Sequence, residues 1–257
     1  MIIKSLGYQQ ASIAIAIVGG LLMLCPYFAK PDSYQPKVSE ESSPRESIFS
    51  GVKKALKHKK FLAVSIVFVG AQMSLTIMTA AAPFIATSVL GGTERDVAFL
   101  MGPMLLTAFP SFFISNYLSK KFGWQKTILV AATVLMLLFA GTSHLLGEAI
   151  IGSALNTAMI LFGLAGPMIA ILLGLEGQAV TDCAGEKDSG SVSTYFGVIN
   201  LLIKSFNGLA LFATGVLSDL ALGSLGNGAY RGMVFTAGAS LFLALCTCFF
   251  LHKESPK

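Results

Sequence analysis

Long apolar segments separated by short polar ones make up most of the chain. Seven apolar blocks lie at about residues 8–28, 61–90, 96–118, 126–146, 150–180, 192–217 and 230–251. Each is about twenty residues or longer, which is the length that a helix needs to cross a hydrocarbon core of roughly 30 Å. None shows the alternation of apolar and polar residues that is typical of membrane-spanning strands. The pattern predicts an all-α membrane protein with seven transmembrane helices.

One connection between the blocks is much longer than the others. It divides the chain into a single helix (1–28), a basic linker (29–60), a six-helix bundle (61–252) and a short tail (253–257). In the linker, Ser43, Pro44 and Glu46 fit a capping box. After the capping box, five apolar residues fall on one helical face: Ile48, Phe49, Val52, Ala55 and Leu56. Three lysines lie on the rest of the helix surface: Lys53, Lys54 and Lys57.

Two interpretations of this linker remain open. It forms either a short basic amphipathic helix on an anionic leaflet, or an ordinary solvated helix or disordered segment. Because the linker lies between membrane spans, anionic lipid is its expected partner, and nucleic acid is not.

Composition agrees with a membrane location and adds no enzyme signature. Of the 257 residues, 54% are hydrophobic and 12% are charged, whereas about a quarter of the residues of a soluble domain are charged. The four cysteines and three histidines have no spacing typical of a metal site. Neither a G-x-S-x-G motif nor a phosphate loop is present. We therefore predict that the protein is not an enzyme and has no metal or organic cofactor.

Lysine and arginine accumulate in alternate connections. The linker, the loop at 119–126 and the C-terminus carry nearly all of them, and the opposite connections have only Lys4, Arg95 and Arg231. By the positive-inside rule the linker and the C-terminus face the cytoplasm, in a plasma membrane or a bacterial inner membrane. The same rule favours retention of the first block as a membrane helix over its removal as a signal sequence.

Lys204 is the one lysine or arginine in the interior of an apolar block; Lys126 and Arg231 lie at the edges of theirs. It lies twelve residues beyond Val192, which corresponds to a depth of about 18 Å at 1.5 Å per residue. A lysine near the bilayer centre costs roughly 2.5–3.5 kcal/mol, so we expect Lys204 to face a partner or a wet cavity. Asn200 and Asn207 lie on related faces of the same helix. The alternatives are a snorkelling lysine and asparagines that join neighbouring helices.

Several other polar residues are weaker candidates. Tyr195 lines a substrate surface or anchors the helix at the membrane interface. Glu176 and Asp182 lie toward the cytoplasmic end of the fifth block. They either act in gating, with a salt bridge to Lys120 and Lys121 of the "SKK" loop, or belong to a solvated helix end.

Three segments resemble a known family of transporters. Residues 47–70, "SIFSGVKKALKHKKFLAVSIVFVG", are similar to the middle loop and seventh helix of the glycoside-pentoside-hexuronide:cation symporters. This is the melibiose-permease-like branch of the major facilitator superfamily. Residues 179–210, "AVTDCAGEKDSGSVSTYFGVINLLIKSFNGLA", resemble the loop between helices ten and eleven and the first half of helix eleven. "SKKFGWQK" fits the basic loop between helices eight and nine.

The resemblance implies that the chain is equivalent to helices 6–12 of a major facilitator fold. Lys204 then matches the helix-eleven lysine that helps couple cation and sugar sites, and Asn200 matches a polar position near both. The implied function is symport of a sugar with a cation, sodium or proton, by alternating access. The family's N-terminal half is then either on another chain or missing from this one. The alternatives are a non-transporting scaffold or truncated remnant, and a facilitator for a non-sugar solute such as a lipid or drug.

Overall fold

The computed structural model describes residues 13, 17, 18, 20, 21, 48–93, 95–185, 192–223 and 226–253. They belong to two units, Met1–Arg45 and Glu46–Lys257. In the first unit the five described residues are all helical, and their apolar side chains are exposed. Most of the predicted first span and the capping box at Ser43 lie outside the described residues.

The described residues of the second unit form seven α-helices. They are α1 (Ile48–Lys57), α2 (Lys59–Phe84), α3 (Asp96–Phe122), α4 (Trp124–Leu145), α5 (Ala154–Gly185), α6 (Val192–Leu222) and α7 (Asn227–Lys253). The six helices α2 to α7 are long and apolar enough to cross a membrane, and no strand occurs among the described residues. The all-α membrane class is therefore confirmed, and the six predicted spans from residue 61 onward match α2 to α7 within a few residues.

Local chemistry explains where two of these helices end. Pro83 lacks an N–H group, and the chain continues beyond it as a π-helical turn, Ile85–Val89. Between α3 and α4 a single residue, Gly123, makes the reversal with a φ of 83°. This left-handed conformation favours glycine because it has no Cβ.

The six spans form two triplets, α2 to α4 and α5 to α7, and each triplet makes the same pattern of helix contacts. The most extensive contacts join α3 with α5 and α2 with α7, followed by α4 with α7, α4 with α5, and α2 with α6. The first triplet, α2 to α4, can be matched in order with the second, α5 to α7. The contact α3–α5 then corresponds to α6–α2, and α2–α7 corresponds to α5–α4. The contact α4–α7 corresponds to itself. Each major contact thus has its counterpart, as expected for paired three-helix repeats.

Small residues allow the closest of these contacts, between α3 and α5. A Cβ on Gly166 would collide with the carbonyl oxygen of Met104 and with Oγ1 of Thr107. Thr107 Oγ1 also donates to the carbonyl oxygen of Gly163 at 2.6 Å. Small residues of this kind let membrane helices approach closely enough for dispersion contacts and hydrogen bonds between helices. The α3–α5 contact therefore depends on the glycines of α5.

The helices α3 and α6 remain the most exposed of the spans. In their apolar segments only 17% and 22% of the residues are buried, against 61% in α2. Among the described helices these two share no contact with each other. The bundle consequently presents two largely uncovered helix faces.

The predicted amphipathic helix exists as α1, and part of its apolar face packs on the bundle. Ala55 is fully buried and Val52 is half-buried, whereas Leu56 is 43% exposed. Gly51 lies against Thr194 at the start of α6. Lys53, Lys54 and Lys57 are exposed. The structure thus has a helix at this position, docked on α6, and the sequence pattern did not reveal that contact.

Candidate functional site

Three helices begin and three end on the same side of the bundle. Gly123 alone separates α3 from α4. Six residues, 186–191, separate α5 from α6 and can reach at most about 21 Å, less than the hydrocarbon thickness of roughly 30 Å. The starts of α2, α4 and α6 and the ends of α3, α5 and α7 therefore share one side. It carries Lys59, Lys60, Lys120, Lys121 and Lys126 and is called the basic side below.

Lys204, Asn200 and Asn207 lie close together in angle around α6. At 3.6 residues per turn they fall within about 60°. Lys204 and Asn200 are exposed, and Nδ2 of Asn200 donates to the carbonyl oxygen of Phe196 at 2.9 Å. Asn207 is half-buried, and its Oδ1 has no hydrogen-bond partner within the described part of the chain. The three side chains form a polar patch in the middle of α6.

Tyr195 lies on the opposite face of α6 and is buried. Its ring contacts Phe61 edge-on, with centroids 4.7 Å apart. Its hydroxyl is 3.4 Å from Nδ1 of His58, the residue between α1 and α2. The structure thus separates Tyr195 from Lys204, Asn200 and Asn207 and places it where α6 meets the start of α2. A substrate contact by Tyr195 stays a prediction.

Glu176 of α5 is half-buried and faces α2. The side chain of Gln72 in α2 lies within hydrogen-bonding reach of its carboxylate. From the basic side, Glu176 lies about 14 Å along α5 and Gln72 about 20 Å along α2. Sequence reasoning missed Gln72, although one amide within a long apolar block is a signal that could have identified it.

Glu176 and Lys204 have opposite charges at comparable depths on two helices that touch. Within the described residues neither forms an ion pair. Because an ionisable group inside a span is costly when it faces lipid, each of the two is expected to face water, solute or protein.

Asp182, Lys120 and Lys121 are exposed at the basic side. In the described part of the chain no ion pair joins Asp182 or Glu176 to either lysine. A neutral hydrogen bond connects α3 with α5 there instead, from Ser119 Oγ to Gln178 Oε1 at 3.0 Å. A gating role for these four charged residues stays a prediction.

The opposite side has an ion pair that sequence reasoning did not assign. Arg231 at the start of α7 lies 3.3 Å from Glu148 in the loop before α5. Both side chains are exposed, so the pair contributes about 0–1 kcal/mol to stability. Its residues are far apart in sequence, and no local pattern indicates their contact.

Comparison with known proteins gives one match that spans most of the chain. The sequence model of the family described as MFS/sugar transport protein matches residues 7–252. The chain belongs to this family. The resemblance to the major facilitator superfamily is thereby confirmed, and the chain is a membrane protein of a sugar-transport family within it. Searches of curated proteins and of solved structures gave no match.

Family membership gives the polar residues of the bundle a context. Major facilitator transporters bind solutes near the midplane of the membrane, at the interface of their repeats. In this family member, Lys204 and Glu176 are the ionisable residues at that depth within the described spans. They are accordingly the first residues to test for a role in transport.

Proposed function

We propose that this protein acts in cation-coupled sugar symport by alternating access. The substrate would bind between this bundle and an N-terminal bundle that is supplied by another chain or by sequence outside this one. The observation that carries the proposal is an exposed lysine, Lys204, in the middle of a span. Since a lysine at this depth costs roughly 2.5–3.5 kcal/mol when it faces lipid, the exposed face of α6 is expected to meet water, solute or protein.

The rest of the α6 surface supports a contact with a second bundle. Gly197, Gly208 and Gly215 lie on the same side of the helix as Lys204. A Cβ at any of them would have no neighbour within 4 Å. Small and polar residues together are typical of helix interfaces inside membranes. In the proposed complex the partner covers this face, and Lys204 lies beside the solute and the coupling cation, sodium or proton.

Asn207 and Asn200 would complete the site. Asn207 Oδ1 is a buried acceptor without a partner in the described residues, and leaving such an acceptor unsatisfied costs about 1–3 kcal/mol. In the proposed complex the Asn207 amide turns toward the solute, so that a sugar hydroxyl donates to Oδ1. Asn200 lies one turn from Lys204 on the side nearer the basic end, so the two could contact one solute.

The test is uptake of labelled sugar by proteoliposomes that contain both bundles, driven by a sodium or proton gradient. Lys204→Ala is expected to reduce cation-driven uptake by more than about tenfold, because a hydrogen bond to a charged group contributes roughly 1.5–3 kcal/mol. Lys204→Arg keeps the charge and should retain part of the uptake. Ser205→Ala, on a different face of α6, is the matched control.

The alternatives predict different results. Gradient-driven uptake that Lys204→Ala leaves unchanged would overturn the coupling role of Lys204. A complete pair that moves a lipid or drug but no sugar would identify a facilitator for another solute. A pair that moves no solute of any class tested would favour a non-transporting scaffold or remnant.

We further propose that Glu176 takes part in gating with Asp182, Lys120 and Lys121. Glu176→Gln removes the charge and keeps a side chain that can hydrogen-bond Gln72. If the charge matters, the variant should fold normally and change the rate of uptake by several-fold. Unchanged uptake in Glu176→Gln, together with loss of folding in Glu176→Leu, would assign Glu176 to helix packing.

A further inference from the structure

A groove with a volume of about 450 Å³ lies between α3, α4 and α5. Its lining is apolar except at Thr127 and at Lys126, which lies at one end. Ala131 is a buried lining residue, whereas Phe122 and Val130 are 54% and 63% exposed. The groove therefore has a buried floor and opens toward the outside of the bundle, where the lipid of a membrane lies.

The groove occupies the half of the bundle that is nearer the basic side. On α4 its lining residues run from Lys126, in the first turn of the helix, to Val134. Val134 lies about 15 Å along α4 from its first residue, which is half of a hydrocarbon thickness of roughly 30 Å. The groove thus has the depth of one leaflet, and an acyl chain that enters from the basic side can lie along it.

Two lysines lie where the groove meets the basic side. Lys126 lines the groove itself, and Nζ of Lys121 lies 5.3 Å from the ring centroid of Phe122, a wall residue. Gly123 alone separates α3 from α4, so the two lysines belong to adjoining turns at the same end of the bundle. Within the described residues neither lysine forms an ion pair, and no lining residue is acidic. The N-terminus of α4 adds a partial charge of the same sign.

We propose that the groove between α3, α4 and α5 binds an anionic glycerophospholipid. The phosphate lies between the ammonium groups of Lys121 and Lys126, and one acyl chain occupies the apolar groove below them. Charge complementarity selects this occupant, because basic pockets between membrane helices attract anionic headgroups. A zwitterionic lipid would bring a cation of its own to the two lysines, and an apolar helix would bring no counter-charge. The proposal is independent of which solute the transporter moves.

Photocrosslinking of the full chain in bilayers tests this site. The probes are phosphatidylglycerol and phosphatidylcholine with a diazirine at the same acyl carbon, each at a low fraction in unlabelled phosphatidylcholine. Peptide mass spectrometry measures the labelling of Val130, Val134 and Met168 in the groove, relative to Leu243, an exposed residue of α7 outside the groove. Because each lysine near anionic lipid strengthens binding by about fivefold, phosphatidylglycerol should label the groove at least about ten times more strongly than phosphatidylcholine.

One variant and one matched control separate the groove from general surface charge. Lys121→Gln/Lys126→Gln should bring the ratio of labelling by the two lipids close to one. Lys53→Gln/Lys57→Gln removes the same charge from two exposed lysines of α1, outside the groove, and should retain the ratio. Equal labelling of the groove by both lipids in the unmodified chain, or labelling by neither, would overturn the proposal. An unchanged ratio in Lys121→Gln/Lys126→Gln, or an equal loss in the control, would overturn it as well.

Discussion

At the scale of single residues, the environment of Tyr195 depends on the residues that pack around it more than on its being a tyrosine. On the residue scale it resembles a sugar-stacking aromatic or an interfacial anchor. In the structure it is only 2% exposed, between Phe61 and His58. The contact joins the first turn of α6 to the point where α1 and α2 meet. It therefore stabilises the helix that carries Lys204, from the opposite face.

Replacing Tyr195 should accordingly change stability. Tyr195→Ala loses its contacts with Phe61 and His58 and is expected to lower the free energy of unfolding by about 3 kcal/mol. Tyr195→Phe removes only a long hydrogen bond and should cost less than about 1 kcal/mol. Thermal unfolding of the purified chain in detergent measures both. A larger effect of Tyr195→Phe on sugar affinity than on unfolding would instead support a substrate contact.

On the scale of elements, the contact between α3 and α5 depends on residues without bulk. Thr107, Ser111, Ser115 and Ser119 follow one another along α3 at intervals of four residues, and the last three are buried. Gly163 and Gly166 of α5 lie opposite the start of this row. Between apolar helices in lipid, close packing of this kind supplies the attraction that burial from water supplies in a soluble core.

Gly166→Ala should weaken this contact. The new methyl group would meet the Met104 carbonyl oxygen and Thr107 Oγ1, and overpacking of this kind costs about 1–3 kcal/mol. Gly177→Ala on the same helix has no neighbour within 4 Å of the new Cβ and is the matched control. It should leave stability unchanged or raise it by about 0.5–1 kcal/mol, because alanine favours helix more than glycine does. Equal melting temperatures for the two variants would contradict this role of Gly166.

On the scale of the whole molecule, α3 and α6 occupy equivalent positions, each in the middle of its triplet of helices. Both are uncovered, and neither touches the other in the described bundle. The exposed face of α6 carries Lys204 and several glycines, beside apolar side chains such as Leu211 and Phe212. The exposed face of α3 carries large apolar side chains, including Leu106, Phe109 and Phe113. Because it carries a charge, the exposed face of α6 is less favourable in contact with lipid than the exposed face of α3.

A large side chain on the exposed face of α6 should prevent binding of the N-terminal bundle and leave the fold of this bundle intact. Gly208→Trp points into open space in this chain, so its melting temperature should be unchanged. Its co-purification with a co-expressed N-terminal bundle should nevertheless be lost. Leu243→Trp, at an exposed position of α7, is the control and should still co-purify. Association of Gly208→Trp at the level of the unmodified chain would exclude this face as the interface.

The amino-acid sequence by itself determined the class of protein, six of the described spans and the depth of Lys204. These properties follow from the thickness of the bilayer, which sets the length of an apolar block, and from the high cost of a charge inside it. The resemblance of three segments also indicated the family, because the residues of each segment are contiguous and their pattern can be recognised along the chain.

Only the tertiary structure decided which residues of different helices meet. Helical periodicity separates Tyr195 from Lys204 but does not say which face packs on α2 and which stays open. It cannot relate Gln72 to Glu176 or Arg231 to Glu148, since these pairs are distant in sequence. Their contacts depend on how far each helix is rotated and shifted against the next. Close approach at glycines such as Gly166 sets that rotation and shift, and only the packed bundle reveals it.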